Sequence, residues 1–458
     1  MYVLGIYNMS VYAGFAKVDL MEILPEKRRC EMPLSGRGFY LEQAEKRSFF
    51  FTADLMDLDL MTVKTLESAL AEVLPQNTQI HILSTHNHGG ESCGKLQMEQ
   101  FCRLAAGCAD DAVAAARPAK VRIAAGALDE KLTYMRRLFI PEVEGSFTCF
   151  YGISAVGSGD AASFAENAVE ALENNALLFS GNGTNAEKNG RSFLPADPHV
   201  AVLDFRSTDD LPLGNIVRFA SHAVCCNLPD CYSADYPGYL RGIMEKELGG
   251  VSVFWNGPCA EIAPAIPHKS AEYGALLAGK IAGKALSLLE NLPFENLESF
   301  RDTFMMAALP VRQEVLDGEI SIAHEDISRK TLAEKKKFLE RKQLEICLPF
   351  LQSIHRNGEK TLRKEITLNN ALLEINNWNI IFFSGETFSS TAQEITSAFP
   401  EKQWLTVTEH GRTAMYIPPE KEYLRGGYEP ACAVVAANGE AELKLQMTAA
   451  LEKHFCKL

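Results

Sequence analysis

The sequence alternates short apolar runs with amphipathic segments along most of its length. "TQIHILST" and "VSVFWNG" are short β-rich runs typical of buried strands, whereas "TVKTLESALAEVL" has the apolar spacing of an amphipathic helix. Strand-like and helix-like runs continue to alternate towards the C-terminus. This alternation predicts an α/β fold, with a layered core of mixed β-sheet flanked by helices.

The same patterns place further elements along the chain. "RSFFFTADLMDLD" indicates a strand and an acidic turn, and "LQMEQFCRLAAGCADDAVAAARP" a long helix that ends before Pro118. We predict strands in "AKVRIAAGAL", "HVAVLDF" and "NIVRFASHA", a helix in "YGALLAGKIAGKALSLLE", and a strand pair in "ALLEINNWNIIFFSGE". "TFSSTAQEITSAF" indicates a helix capped by Ser or Thr, and "ACAVVAA" a strand before a closing helix.

Two stretches bear on domain organisation. The middle of the chain, from "GISAVGSGDAAS" to "GNGTNAEKNGRSF", is rich in Gly, Ser and Asn, which is typical of long surface loops. Residues 326–345 form a highly charged helical pattern in which acids and bases alternate, so a solvated helix is favoured over a nucleic-acid patch. We expect a single domain over residues 1–458, the alternative being a subdivision at 326–345.

The composition limits the kinds of binding partner and the cellular location that we expect. The net charge of −14 argues against binding to nucleic acid or to an anionic membrane surface. No apolar run is long enough for a transmembrane helix, and no Lys or Arg precedes Lys17, so we expect neither a membrane span nor a secretory signal. The cysteines form no C-x-x-C pair, which favours reduced, buried thiols. We therefore expect a cytoplasmic protein.

Several common catalytic motifs are absent from the sequence. No G-x-S-x-G elbow is present, which disfavours a Ser-His-Asp hydrolase. There is also no P-loop, and no G-x-G-x-x-G that follows a strand and opens a helix. These absences argue against phosphate-binding and dinucleotide-binding functions.

The histidines are candidate ligands of a metal ion. "STHNHGGES" places His86 and His88 at the end of a predicted strand, and in "RFASHAVCCN" His222 also follows an apolar strand. Ligands of open α/β sheets gather beyond the carboxyl ends of strands, and zinc takes three or four N or O ligands. The pattern favours a zinc site, although it does not select the missing carboxylate. Each histidine also fits an ordinary core position or turn.

Seven segments, in order along the chain, resemble motifs of the neutral/alkaline (non-lysosomal) ceramidase family of zinc-dependent amidases. The first is "STHNHGG", similar to T-H-T-H-S-G-P in that family. The others are "ADPHVAVLDF", "NIVRFASHAV", "SADYPGYLRGIMEKELGG", "FWNGPCAEIAPA", "FFSGETFSSTAQEI" and "YIPPEKEYLRGGYEP". The resemblance implies a ceramidase-like catalytic domain and a zinc-dependent hydrolase that cleaves an amide (N-acyl) bond by metal-activated water.

The resemblance also implies roles for individual residues. The implied zinc ligands are His86, His222, Glu386 and Tyr416. His88 is implied to lie beside the activated water or the substrate, where it hands a proton to the leaving nitrogen. Tyr428 is implied to contact the charge that develops on the substrate. Read from the pattern alone, Glu386 fits a helix cap and both tyrosines fit packing positions.

The sequence departs from the family pattern in three respects. Ala263 stands where the family has Ser or Asn, and Glu261 stands where it has Asp. The proline of the first motif is missing, with Glu91 close by. We expect neither the export signal nor the C-terminal β-sandwich of the secreted ceramidases. The expected substrate is therefore a smaller soluble amide or ester, with ceramide itself as the other candidate.

Two further classes of function stay open at this point. A non-catalytic ceramidase-like protein that binds a ligand or partner in the same cleft fits the loss of the hydroxyl at Ala263. A redox or transfer enzyme would instead use the cluster Cys225, Cys226 and Cys231.

Overall fold

The computed structural model describes residues 10–25, 28–91, 95–140, 145–148, 196–228, 230–266, 269–318, 363–412 and 415–456, together with part of 334–352. The Gly-, Ser- and Asn-rich stretch predicted as surface loops lies outside these residues. Of the charged stretch 326–345, the described residues are helical and begin at Glu334.

The described chain forms short and long strands throughout. The strands of its first half are β1 (Tyr12–Asp19), β2 (Arg29–Met32), β3 (Ser35–Gln43), β4 (Lys46–Ala53), β5 (Thr78–Ser84), β6 (Arg117–Ala127), β7 (Thr133–Met135), β8 (Arg137–Ile140), β9 (Gly145–Thr148), β10 (His199–Ser207) and β11 (Pro212–Phe219). Those of its second half are β12 (Cys231–Ser233), β13 (Val251–Asn256), β14 (Ile262–Pro264), β15 (Glu295–Asn296), β16 (Phe300–Pro310), β17 (Glu365–Ile375), β18 (Trp378–Phe382), β19 (Glu386–Thr387), β20 (Gln403–Val407) and β21 (Tyr416–Ile417).

Helices connect and cover these strands. They are α1 (Leu60–Val73), α2 (Met98–Ala115), α3 (Asp235–Leu248), α4 (Ala271–Leu289), α5 (Gln313–Asp317), α6 (Ser389–Ser397), α7 (Glu420–Arg425), α8 (Tyr428–Ala431) and α9 (Gly439–Phe455). The Asp59 side chain caps α1 by accepting from the Thr62 amide at 2.7 Å. Helix α2 ends three residues before Pro118, as the sequence predicts.

A mixed, curled sheet forms the first layer of strands. Its order is β13-β11-β10-β6-β1-β3-β4-β5, with β15 paired to β6. The sheet curls until β13 lies against β3, β4 and β5. Beyond the strand ends, Asn87 and Ala223 form a parallel bridge that joins the two sides of the curl. The segments that follow β5 and β11 therefore meet.

A second sheet of four strands, in the order β16-β17-β18-β20, packs against the first. Aromatic side chains fill the space between the two sheets. Phe382 of β18 contacts Trp255 of β13 at a ring-centroid distance of 5.0 Å and Phe50 of β4 at 5.4 Å. Burial of these large rings supplies much of the apolar stabilisation between the sheets.

Helices cover the outer face of each sheet. Helices α1 and α2 pack on one part of the first sheet and α3 and α4 on another, while α6 and α9 pack on the second sheet. The described chain thus has the order helices, sheet, sheet, helices. This arrangement confirms the predicted layered α/β core, and it divides that core between two sheets.

Two predictions about local structure are wrong. "ACAVVAA" is not a strand: only Ala433 and Val435 form isolated bridges there, to Met415 and Val311. This buried connection lacks a continuous partner strand, so its apolar residues reflect burial alone. Helix α6 is not capped by its own Ser or Thr. Its cap residue is Phe388, and the Ser389 amide donates instead to the Glu261 carboxylate at 2.9 Å.

Within the described residues, no helix combines the length and the apolar character that crossing a membrane would require.

Candidate metal centre

His86 lies directly beyond β5 at the carboxyl edge of the first sheet. Its φ of 54° is positive, a conformation that costs a residue with a side chain about 1–3 kcal/mol. The backbone is fixed on both sides, because the Thr85 and Asn87 amides donate to the carbonyls of Ala53 and Leu55. Nδ1 of His86 lies 2.8 Å from the Met56 carbonyl oxygen, so this nitrogen carries the proton. Nε2 is then the nitrogen available to a metal.

His222 follows β11 and is held in the same way. Its backbone amide and its Nδ1 both donate to the Ile262 carbonyl, at 3.2 and 2.9 Å. Its Nε2 is buried and has no hydrogen-bond partner among the described residues. A backbone carbonyl on the outer ring nitrogen is the usual way in which proteins orient a metal-binding histidine.

Glu386 brings a carboxylate from the second sheet to these imidazoles. Its Oε2 lies 3.3 Å from Nε2 of His222 and 3.4 Å from Nε2 of His86. This oxygen is buried, and the two imidazoles are the described groups that it faces. Glu386 is the first residue of β19, and its amide donates to the Met415 carbonyl at 2.9 Å. The sequence-based alternative of a helix cap does not apply, since the carboxylate that holds α6 belongs to Glu261.

These three atoms face one another, and each can offer a lone pair to a cation that lies between them. Ligands about 2.1 Å from a tetrahedral zinc ion are separated by about 3.4 Å. The observed separations of 3.3 and 3.4 Å match that spacing. The residues present therefore fit a zinc-like ion held by His86, His222 and Glu386.

Electrostatics around the two imidazoles lead to the same conclusion. Burial lowers the pKa of His86, but the carboxylates of Glu409 and Glu386 outweigh it and raise the pKa to about 9. The pKa of His222 falls to about 4 because of burial and the nearby Arg136 guanidinium. Although burial opposes it, the pKa of Glu386 lies well below its usual range because His86 and His222 stabilise its carboxylate. These carboxylates thus favour positive charge at His86, carried by a proton in the metal-free protein or by a bound cation in its place.

His88 lies at the same centre and is the most exposed of the three histidines there. Its Nε2 is 3.4 Å from Nε2 of His86, and its backbone amide donates to the Ala223 carbonyl at 3.1 Å. The ligand atoms of His86, His88 and His222 all lie within 4.8 Å of one another. His88 is therefore close enough to serve either as a third imidazole ligand or as a group that acts on a substrate.

Tyr416 lies beside Glu386, because β19 and β21 pair in parallel with these two residues opposite each other. Its hydroxyl oxygen accepts a hydrogen bond from Nη2 of Arg136 at 3.0 Å. Burial and Glu386 raise the pKa of Tyr416 well above its usual value. Tyr428, the first residue of α8, contacts Tyr416 edge-to-face with ring centroids 5.6 Å apart. All six residues singled out from the sequence thus lie in one region.

A pair of buried arginines, which the sequence analysis did not identify, supports this region. Nε of Arg136 donates to Oε1 of Glu429 at 2.9 Å, and Nη1 of Arg137 donates to Oε2 at 2.5 Å. Thr148 also donates to Oε2, at 2.7 Å. Although burial opposes it, the arginines hold the pKa of Glu429 below its usual range. The sequence signal for this pair was two consecutive arginines within the otherwise apolar segment "TYMRRLF".

Glu409 is a second carboxylate that the sequence analysis did not identify. Its Oε2 lies 3.7 Å from Nδ1 of His86, on the side away from Glu386. Glu409 also has a positive φ, of 59°, and its Oε1 has no described hydrogen-bond partner. Burial and Glu386 raise its pKa to about 8, even though His86 lowers it. The available signal was "QWLTVTEH", an apolar strand that ends in an acid and a histidine.

The residues that depart from the family pattern also lie here. Ala263 is buried in β14, where it pairs with Tyr134 of β7. The Glu261 carbonyl accepts from the Arg136 amide at 2.7 Å, while the Ile262 carbonyl orients His222. Cys225 and Cys226 pack into the core beside α3 and α4. Burial raises the pKa of both thiols, so they stay protonated and poorly nucleophilic.

No protein-family model matches the sequence, and no curated protein matches it either. Solved structures do match. The crystal structure of neutral ceramidase from Pseudomonas aeruginosa aligns with a TM-score of 0.65 and 14% identity, over 97% of this chain and 75% of that one. A structure described as ceramidase complexed with C2 aligns with a TM-score of 0.64 and 14% identity, over 97% and 76%. The chain therefore has a neutral ceramidase-like fold.

Proposed function

We propose that this protein is a zinc-dependent hydrolase that cleaves the amide bond of an N-acyl substrate. The observation that carries the proposal is the convergence of two imidazoles on one buried carboxylate: Oε2 of Glu386 lies 3.3 Å from Nε2 of His222 and 3.4 Å from Nε2 of His86. The ceramidase-like fold supports the reaction class. We assign Tyr416 as the fourth ligand, since it lies beside Glu386.

A bound zinc ion would act as a Lewis acid and make a water molecule acidic near neutral pH. The side chains of the protein itself do the remaining work. Burial and the neighbouring imidazole of His86 lower the pKa of His88 well below its usual value, so His88 is the base that would take a proton from this water and then deliver it to the leaving nitrogen. Tyr428 donates a hydrogen bond to the carbonyl oxygen as charge develops there. Arg136 holds the Tyr416 oxygen through Nη2 and is itself fixed by Glu429.

The decisive experiment is metal analysis combined with activity assays. Purified protein should contain one zinc per chain, and His86→Ala and Glu386→Ala should lose it. Release of free amine from a panel of N-acyl compounds should stop on chelation and return when zinc is added. Variants that keep zinc as well as the parent would overturn the ligand assignment.

His88→Ala separates the two roles open to that residue. As a proton donor, His88 contributes about 10²–10⁴-fold to kcat, and its loss should leave one zinc per chain. As a third imidazole ligand, its loss should instead release the metal. Metal content and kcat, measured on the same preparation, decide between these roles, and His222→Ala serves as the ligand control.

The substrate class is part of the proposal. We propose a soluble amide or ester smaller than ceramide, acted on in the cytoplasm, because the net charge of −14 disfavours anionic membranes. Parallel assays on short-chain N-acyl compounds and on ceramide in micelles test this point. Faster turnover of micellar ceramide would reverse the assignment.

One observation favours a second candidate function. Ala263 carries no hydroxyl at the position where the resembled family has Ser or Asn, and it is buried in β14. A non-catalytic protein that binds an N-acyl ligand in the cleft would show a ligand-induced rise in Tm without turnover. Chelator-sensitive amine release would exclude this candidate.

A further inference from the structure

A chain of buried polar side chains runs beneath the metal centre, between the two sheets. Ser48 donates to Oδ2 of Asp302 at 2.6 Å, and the same oxygen lies 2.7 Å from Nε2 of His81. Nδ1 of His81 lies 2.9 Å from Nε2 of His410. The side chains of His81 and Asp302 are almost completely inaccessible to solvent, and Ser48 and His410 are buried as well. We call these four residues the Asp302 chain.

The hydrogen bonds join these side chains without a break. A carboxylate oxygen accepts, so Ser48 and Nε2 of His81 both direct a proton towards Oδ2 of Asp302. The other nitrogen of His81, Nδ1, shares one hydrogen bond with Nε2 of His410. Both ring nitrogens of His81 are thereby held by partners.

Aromatic rings hold the middle of the chain in place. The His81 ring is stacked between Phe50, at 4.3 Å and 10° between the planes, and Phe304, at 4.7 Å and 17°. A ring held on both faces cannot rotate without disrupting the packing between the sheets. The position of His410 is therefore defined relative to the first sheet.

His410 belongs to a short segment, residues 408–411, that connects the two sheets at the metal centre. The Ser84 amide donates to the Glu409 carbonyl at 3.1 Å, and the Gly411 amide donates to the Ile82 carbonyl at 2.7 Å. The His410 amide donates to the Phe383 carbonyl at 3.2 Å. One end of this connection is β5, which leads to His86. The other is the segment that leads to Glu386.

The same segment carries Glu409, whose Oε2 lies 3.7 Å from Nδ1 of His86. With its positive φ of 59°, Glu409 needs surrounding contacts to hold its conformation. The contacts of His410 with His81 and of the backbone with β5 supply that support. Nothing in the proposed reaction uses Ser48, Asp302, His81 or His410 directly.

We infer that Asp302, His81 and His410 are positioning residues, which hold residues 408–411 so that His86 and Glu386 keep the spacing a metal requires. This inference rests on the proposed function, because the spacing matters only if a metal binds. It assigns a role to buried groups that lie outside the ligand set. The Asp302 chain acts through the backbone of residues 408–411 and through Glu409, and it contacts neither metal nor substrate.

Asp302→Asn tests the inference, with Glu374→Gln as the matched control. This control also replaces a carboxylate with an amide. Glu374 lies on the adjacent strand β17, and its Oε2 is 2.7 Å from Nε2 of His454. Because His454 belongs to α9, this pair holds α9 rather than residues 408–411. The zinc Kd, measured by competition with a chromogenic chelator, should rise about 10–100-fold in Asp302→Asn and stay within about twofold of the parent in Glu374→Gln.

A second measurement does not depend on metal. In zinc-free protein, hydrogen exchange of the Ser84 and Gly411 amides should accelerate in Asp302→Asn and not in Glu374→Gln. Unchanged exchange in Asp302→Asn, or an unchanged zinc Kd, would overturn the inference while the proposed function stands. A parent protein whose zinc Kd shows no affinity would overturn the proposed function and the metal role together, and faster exchange in Asp302→Asn would then assign these residues a role in holding residues 408–411 alone.

Discussion

Two residues at the candidate centre, His86 and Glu409, adopt positive φ angles that side chains other than glycine rarely take. Both lie directly beyond a strand, and both bring an ionisable group to the same point. Backbone strain of about 1–3 kcal/mol at each residue persists because neighbouring backbone hydrogen bonds hold it. Strained ionisable residues of this kind are concentrated at functional sites.

The stability of the metal-free protein should depend on pH through His86. Its folded-state pKa of about 9 exceeds the usual value of 6.5, because Glu409 and Glu386 outweigh burial. This contribution to the free energy of unfolding is complete below pH 6.5 and is lost as pH rises through about 9. Urea denaturation of chelated protein between pH 6 and 10 measures the loss.

Glu409→Gln is the control for that prediction. It removes one of the two carboxylates that raise the pKa of His86, so the decline above pH 6.5 should be smaller. The same decline in parent and variant would show that other groups cause it.

At the scale of elements, the helix that follows Glu386 is capped by a carboxylate from a distant part of the sequence. Helix α6 begins three residues after Glu386, and the Ser389 amide and hydroxyl both donate to the Glu261 carboxylate. Ile262, which follows Glu261 and begins β14, supplies the carbonyl that orients His222. One short segment therefore fixes elements from both sheets.

Glu261→Ala should lower the free energy of unfolding by about 1–2 kcal/mol, because it leaves the first donors of α6 without their acceptor. Ser390→Ala, in the same turn, should change it by less than about 0.5 kcal/mol. Urea denaturation of the three proteins makes the comparison. Equal stability of Glu261→Ala and the parent would contradict the role assigned to this cap.

Elements also show what the sequence could and could not reveal. The apolar runs before His86 and His222 predict strands, and the structure has them as β5 and β11. Glu386 could be selected only through a family resemblance, since many carboxylates follow apolar segments. Glu409 follows β20 in the same way as His86 follows β5, so its place at a strand end was a signal present in the sequence. The cap of α6 could not be predicted, because Glu261 is distant in sequence.

At the scale of the whole molecule, the candidate ligands are divided between the two sheets. His86 and His222 extend from strands of the first sheet, whereas Glu386 follows β18 of the second. The layered α/β core was predictable because period-two and period-3.6 patterns are local. The packing of one sheet on the other depends on contacts such as Trp255 with Phe382, which leave no local signal.

Metal binding should therefore stabilise the whole molecule. A ligand that binds only the folded state at 100 times its Kd adds about 2.7 kcal/mol to the free energy of unfolding. Zinc should raise the Tm of the parent and leave that of His86→Ala unchanged. A Tm of the parent that does not respond to zinc would argue against a metal that joins the sheets.

The bridge between Asn87 and Ala223 has a consequence for the order in which the protein folds. It closes the curl of the first sheet through contacts between distant parts of the chain, and such contacts form late and slowly. His86 and His222 cannot meet before that closure, so neither half of the sheet can hold the ion alone. In a refolding experiment, zinc uptake should follow the burial of Trp255, and metal content would then count only those molecules that have completed their fold.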